Sequence, residues 1–364
     1  MEKILKVGVV GCGQIAQIAH IPYLLELPYF KVTAICDISR KVVDSIGDLY
    51  GIQNRFVDYR DLVAMPDLDA VCICNRDHAE VAVAAMNAGK HVITEKPMAF
   101  NLEECDQMIE AAKKNRVKLM VAYMKRYDPA YQWALPRLQE IQNLRLIRVH
   151  DFGGTYTINN KIYDLFTGSD VSPEDANYWQ NRERCALLQA IGEEREDLLD
   201  TFSLLMYNCS HDANVLQEAF GSPTRIQHVD LFDTFVLATL EYGEHTRCIW
   251  ETGLIPDRTE WDEQLAAYGS NRWLEIRFPF PYLKNEATIV NTNEMDGEVS
   301  VTKRVLVSYD EAFKREWRHF YECVTQDKEP FTNGEKGRRD VAFLIDLIKT
   351  GRPEAPLAAD FPNS

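Results

Sequence analysis

The chain has 364 residues, 46% of them apolar and 26% charged, and its 40 Lys and Arg against 56 Asp and Glu leave a formal net charge of −16. One hydrophobic core rarely serves more than about 250–300 residues, so two domains are expected, and the composition is that of a globular protein rather than a disordered, collagenous or membrane-embedded one. The acidic balance repels phosphate backbones and anionic lipid, so neither nucleic acid nor a membrane is an expected partner.

Residues 1–125 alternate short β-rich runs with helical stretches, the pattern of a parallel sheet covered by helices on both faces. Strands are expected over 4–10, 32–36, 70–74, 91–94 and 119–123, and helices over 40–50, 78–88 and 102–114. Gly51 and Gly89 stand where a left-handed residue ends a helix, and Asn101 with Glu104 reads as a capping box. From about residue 145 the runs become longer and alternate, over 146–152, 226–242, 246–251, 273–278, 287–291 and 299–307, which predicts a mostly antiparallel sheet. Helices are expected over 198–220, 309–325 and 336–350, so residues 126–364 read as an α+β domain whose last helices can pack back on the first domain. The stretch 156–197 is polar and without period, which suits a long loop or lid, with Gly153, Gly154 and Gly168 allowing motion. No run approaches the ~18 apolar residues of a spanning helix. Nine scattered Cys without paired ligand spacing predict a reduced, cytoplasmic protein with no metal centre.

The run Gly11-Cys12-Gly13-Gln14-Ile15-Ala16 follows a strand and opens a helix, and Asp37 ends the second strand about 20 residues later. Gly11 permits the tight turn, Gly13 lets the backbone approach a pyrophosphate, and Ala16 lets helix and strand pack closely. Asp37 can accept from the adenosine ribose hydroxyls and would repel a 2′-phosphate, so NAD is expected over NADP; the alternative is a sharp turn with an unrelated Asp. Arg40 can salt-bridge or stack near the adenine, while Asn75 and His78, at a strand end, can shape the cofactor pocket. Glu95-Lys96-Pro97 closes the fourth strand at the edge where open α/β sheets place ligands. Lys96 can point its ammonium at a bound hydroxyl or carbonyl oxygen, or it is a surface Lys before a turn.

With the Gly11 to Ala16 turn, the stretch Ala88-Gly-Lys-His-Val-Ile-Thr-Glu-Lys-Pro97, the segment Tyr123-Met-Lys-Arg-Tyr-Asp-Pro129 and His211 followed by Gly221, nearly the whole chain resembles one family. That family is the glucose–fructose oxidoreductase, myo-inositol dehydrogenase and rhizopine catabolism (Gfo/Idh/MocA) oxidoreductases. The resemblance implies an N-terminal Rossmann domain joined to a C-terminal domain with a large, open-faced sheet, and sugar or cyclitol substrates held between nicotinamide and that sheet. It implies that Glu95 and Lys96 border the cofactor, that Lys96 is catalytic and its bond to Pro97 cis, that His211 is the general acid/base, and that the protein is a homodimer or homotetramer.

Arg126 matches a frequent family Arg and is expected either to bind substrate or to form an interdomain salt bridge. Where the family commonly has Asp, one helical turn before the His, this chain has Tyr207, whose phenol is expected to contact the imidazole or the substrate. Asn208 and Asn214 are further candidates for polar substrate groups. Tyr156, Tyr163, Tyr178 and Trp179 can stack on a carbohydrate or pack in a core. The expected function is an NAD-dependent dehydrogenase of a sugar, sugar derivative or cyclitol. The alternatives are an enzyme that retains NAD through a transient oxidation for elimination, epimerisation or glycoside cleavage, and a non-catalytic NAD-binding regulator.

Overall fold

The computed structural model describes residues 3–154, 159–232, 234–255 and 260–353. Strand β1 (Leu5–Val10) runs into the glycine turn, and a π-helical turn (Ala16–His20) continues as α1 (Ile21–Glu26). There follow β2 (Phe30–Cys36), α2 (Arg40–Tyr50), β3 (Asn54–Phe56), α3 (Tyr59–Val63), β4 (Ala70–Ile73), α4 (Ala79–Asn87), β5 (His91–Thr94), α5 (Leu102–Asn115) and β6 (Leu119–Val121). These six strands form a parallel sheet in the order β3-β2-β1-β4-β5-β6. The order reverses between β1 and β4, so a crevice opens beyond their carboxyl ends. Ser39, Asp58 and Asn101 cap α2, α3 and α5 with side-chain oxygens, and Gly51 ends α2 at φ +70°. Every strand and helix expected in this half is present with slightly shifted ends; β3 and α3, three and five residues long, are too short to carry a period.

A 3₁₀ turn (Met124–Tyr127) and α6 (Pro129–Gln139) lead to β7 (Leu146–Gly153), α7 (Asn159–Ile162), α8 (Pro173–Ile191), a 3₁₀ segment (Glu193–Leu198), α9 (Leu199–Tyr207) and α10 (Ser210–Phe220). Then come β8 (Arg225–Phe232), β9 (Phe235–Tyr242), β10 (Thr246–Leu254), β11 (Asp262–Tyr268), β12 (Arg272–Phe278), β13 (Ile289–Asp296), β14 (Val299–Leu306), α11 (Ala312–Thr325), α12 (Gly334–Thr350) and β15 (Arg352–Pro353). Nine strands pair in the order β14-β13-β12-β11-β7-β10-β9-β8-β15, antiparallel except β7 with β10 and β8 with β15. Burial alternates along β7 and β9, so one face is covered while the other exposes Ile249 and Leu306.

Four sequence expectations are corrected. Residues 226–242 are not one strand but the hairpin of β8 and β9. β11 was unexpected; buried alanines in its middle blur the alternation. The expected helix 198–220 is two, α9 and α10, divided at Asn208 and Cys209. The stretch 156–197 is no continuous loop: it holds α7 and the 19-residue α8, started by Ser172 and Pro173. Only the last residues of α8, from Ala186 onward, are buried, which is why its sequence shows no apolar period.

The last helices reach back to the first sheet. Gly337 lets α12 lie on β6, because a Cβ there would stand 2.9 Å from Val121. Arg338 of α12 grips Asp106 of α5 through two bonds of 2.5 and 2.9 Å. On α11, fully buried Trp317 donates its indole N–H to Nδ1 of His20 at 3.1 Å and packs edge-on against Phe30 and Phe320. Trp317→Ala should therefore cost about 3–5 kcal/mol. Equilibrium urea unfolding should show a lower midpoint with an unchanged slope.

Candidate active site

The crevice is a cleft of about 810 Å³ bordered by Gly11, Gly13, Gln14, Asp37 and Asn75. Gly11 has φ +84°, and a Cβ on it would run into the backbone of Asn75, so only glycine lets the ends of β1 and β4 close up here. At Gly13 a Cβ would meet no protein atom within 4 Å; the space it would enter is the cleft itself. Gln14 Nε2 and Asn75 Oδ1 are buried without a partner. An open cradle at the start of a helix, with orphaned polar atoms beside it, fits a dinucleotide whose pyrophosphate rests on the Gly13 backbone. Ala16 is fully buried behind the turn. Asp37 accepts from the N–H of Cys12 at 2.7 Å and of Ser39 at 2.9 Å, and its oxygens retain lone pairs for ribose hydroxyls.

Several residues expected at the cofactor stand elsewhere. Arg40 is exposed and faces Asp44 at 3.9 Å rather than the cleft. Ile15 is half-buried at the start of the π turn and does not border the cleft. His78 and Glu95 lie beneath the floor instead of lining it. His78, kept neutral by burial, donates Nδ1–H to the carbonyl of Pro97 at 2.6 Å. Glu95 accepts from His20 Nε2–H at 2.8 Å and from the N–H of Lys96 at 3.1 Å. Together they hold the Lys96–Pro97 segment, whose peptide bond is cis.

Lys96 and His211 are brought together. The Lys96 ammonium donates to the backbone carbonyl of Tyr207 at the end of α9. Burial lowers its pKa, against the pull of Glu95. His211, in the first turn of α10, lies edge-on to Tyr123 at 5.9 Å, and its Nδ1 is buried without a partner. Burial, reinforced by the nearby ammonium groups of Lys96 and Lys125, holds the imidazole well below the ordinary histidine range. It is therefore neutral and able to accept a proton.

The phenol of Tyr207 is not turned to the imidazole: it accepts from Arg76 Nε at 3.3 Å and stacks edge-on with Phe100, so it is the residue's main chain that meets Lys96. Asn208 borders a separate hollow of about 280 Å³ with Thr201 and Thr234. Arg126 and Asn214 are removed from the cleft. Arg126 is buried against Glu218 at 2.8 Å, and Asn214 is fully buried and donates to Asp340 at 2.5 Å. Tyr156 lies outside the described residues. Of the other aromatics, Tyr178 and Trp179 border the cleft, while Tyr163 donates to the carbonyl of Tyr282.

One group of residues escaped sequence reading. Asp151 on β7 and Asp212 beside His211 are both buried; burial and the charge of Glu263 raise Asp151 to about 7, while burial and the charge of Asp151 raise Asp212 well above the carboxylate range, so Asp212 keeps a proton that it can donate to Asp151. Cys209 stands within 4.8 Å of both, and Glu263 on β11 forms a fully buried ion pair with Lys125. Lys125, Cys209 and Asp212 lie beside residues that the sequence points to, whereas Asp151 and Glu263 carry no local signal. The segment 163–183, within the stretch expected as a loop or lid, lies across the cofactor cleft. Gln17 exchanges two 2.9 Å bonds with the main chain of Phe166, and Arg182 holds Asp77 at 2.5 Å and Glu80 at 3.1 Å. Arg76 meets Glu183 at 3.0 Å.

Because a side chain at Gly13 has room to fold but would fill the cradle, Gly13→Val should leave the thermal midpoint within about 2 °C. The same variant should weaken NAD(H) binding at least about tenfold, measured by calorimetric titration.

Residues 5–123 match the family model described as oxidoreductase family, NAD-binding Rossmann fold (Gfo/Idh/MocA). The inositol 2-dehydrogenase of Salmonella typhimurium is 32% identical over 179 residues, 48% of this chain and 50% of that protein. The chain spans about half the length or less of several curated relatives of this kind. The myo-inositol 2-dehydrogenase of Thermotoga maritima is 32% identical over 271 residues, 66% of this chain and 80% of the relative. A 3-ketoreductase from Actinomadura kijaniata, solved with TDP-benzene and NADP, shares the fold with TM-score 0.74 at 17% identity, over 96% of this chain and 98% of that one. A glycine cradle at the switch point of a parallel sheet and a match that extends far beyond that sheet lead to one assignment: the chain belongs to the Gfo/Idh/MocA oxidoreductase family.

Proposed function

We propose that the chain is an NAD-dependent oxidoreductase that moves a hydride between nicotinamide and a secondary alcohol or ketone of a sugar, sugar derivative or cyclitol. The observation that carries this reading is the buried ammonium of Lys96 beside the neutral imidazole of His211. Nicotinamide, when bound, supplies the hydride acceptor or donor. Lys96, steadied by the carbonyl of Tyr207, faces the reacting oxygen and stabilises the negative charge it develops. His211 takes the hydroxyl proton in the oxidative direction and returns it in the reductive one. The Asp151–Asp212 pair and the Lys125–Glu263 ion pair neutralise the charges behind these two groups. Asp37 favours NAD, since its carboxylate opposes a 2′-phosphate.

In this reading residues 1–125 bind the cofactor and 126–364 the substrate. The apolar side chains on the open face of the second sheet suit a homodimer or homotetramer. Nine free cysteines suit a cytoplasmic setting, and no helix among the described residues is long and apolar enough to cross a membrane.

The segment across the cleft also favours a second reading, in which NAD stays bound through transient oxidation for elimination, epimerisation or glycoside cleavage. Incubation with a panel of cyclitols and sugars separates the two. Stoichiometric NADH release supports net oxidation, product without NADH supports the internal cycle, and no turnover despite NAD binding removes both.

Lys96→Ala and His211→Asn should each lower kcat by about 10²–10⁴-fold. The active imidazole is the deprotonated form and its pKa is depressed, so the acid limb of kcat/KM should fall below about pH 6.5 and vanish in His211→Asn. The active lysine is the protonated form and its pKa is also depressed, so activity should decline on the alkaline side below about pH 10.4.

A further inference from the structure

The start of α2 has the makings of a phosphate site. Ser39, Arg40 and Lys41 offer a hydroxyl, two cations and the free amides of an 11-residue helix, close beside Asp37. In this fold the 2′ substituent of the adenosine ribose comes to the end of β2, where these groups stand. Yet two of these donors, the Ser39 hydroxyl and the Lys41 amide, are already taken by the chain itself. Asp170, brought by the segment 163–183, accepts from Ser39 Oγ at 2.5 Å through one oxygen and from the N–H of Lys41 at 2.9 Å through the other. Ser39 Oγ meanwhile accepts the N–H of Val42 at 3.1 Å, so its proton is free to point at Asp170. The approach is close: a Cβ on Gly168 would lie 2.6 Å from that of Ser39, which only glycine avoids. Burial pushes the Asp37 carboxyl upward, and Asp170 is near enough for its charge to add to that push.

We infer that Asp170 is a second cofactor-specificity residue, an internal anion that takes the donors a 2′-phosphate would use and thereby reserves the cleft for NAD. The inference rests on the NAD reading above and deepens it. Asp37 supplies one carboxylate from the first sheet's own loop, and Asp170 supplies another from the far half of the chain, so a 2′-phosphate meets two negative charges and finds the Ser39 hydroxyl and the Lys41 amide engaged. A free 2′-hydroxyl has no such conflict, and it can donate to either carboxylate. Remove Asp170, and the hydroxyl and amide at the start of α2 become available to phosphate beside the cations of Arg40 and Lys41.

The test is direct binding, which needs no knowledge of the substrate: calorimetric titration of the full chain with NADH and with NADPH, for wild type, Asp170→Ala and Asp170→Asn. Asp170 is exposed, so both variants should fold, and thermal unfolding checks this. The expected result is that Asp170→Ala tightens NADPH at least about tenfold while NADH changes by no more than about threefold. Asp170→Asn, which keeps the shape and loses the charge, should fall between. If Asp170→Ala weakens both cofactors by the same factor, Asp170 merely fastens the segment and the inference is overturned. An unchanged ratio of the two affinities overturns it equally. The wild-type preference is read separately: tighter NADPH than NADH there refutes the NAD reading, whereas the shift between wild type and variant judges Asp170 itself.

Discussion

A buried ammonium has to be met by oxygen, and the junction of the two halves is built around that requirement. Lys96 comes from the end of β5 and Lys125 from the turn after β6, both on the first sheet's side. Glu95, next to Lys96, is engaged by His20, so the answering oxygens come from the other half: the carbonyl of Tyr207, the carboxylate of Glu263 and the Asp151–Asp212 pair. Fixing the Tyr207 carbonyl to Lys96 also sets where the next turn begins, and His211 stands in that turn. One contact thus places both Lys96 and His211, and burial, aided by the same pair of cations, keeps the imidazole neutral.

The parallel half was legible because its signals are local and repeated. A buried strand, a capped helix and a glycine stop recur, and Asn101 does accept from the N–H of Glu104 at 2.9 Å while Glu104 reaches back to the N–H of Phe100 at 3.3 Å. The glycine run was legible for a related reason: Gly11 answers a steric demand that no other residue meets, and Gly13 leaves the cradle open. The antiparallel half gave less, since β11 lacks a clean alternation and a hairpin of two strands reads like one long strand when its turn carries no strong signal.

The site was legible where a motif sits within a few residues and opaque where it is assembled by folding. Lys125 and Glu263 are 138 residues apart in sequence, and nothing local to either announces the other. Arg126 and Asn214 were candidates because they are polar residues beside recognised motifs. Folding instead commits them to Glu218 and Asp340, partners from which spacing gives no warning. His78 and Glu95 likewise turned out to support the Lys96–Pro97 turn from below, a role that a one-dimensional pattern does not distinguish from contact with the cofactor.

Helix α12 bears on how the molecule is made. Its Asp340 accepts from Asn214 at 2.5 Å and Gln217 at 2.7 Å, bracing the helix that carries His211, while its Arg338 and Gly337 rest on α5 and β6. During synthesis the six parallel strands leave the ribosome and can pair long before this brace exists. The nascent chain can therefore complete its nucleotide-binding sheet early, but the imidazole acquires its final support only when a much later helix docks, so the setting of His211 is among the last features to form.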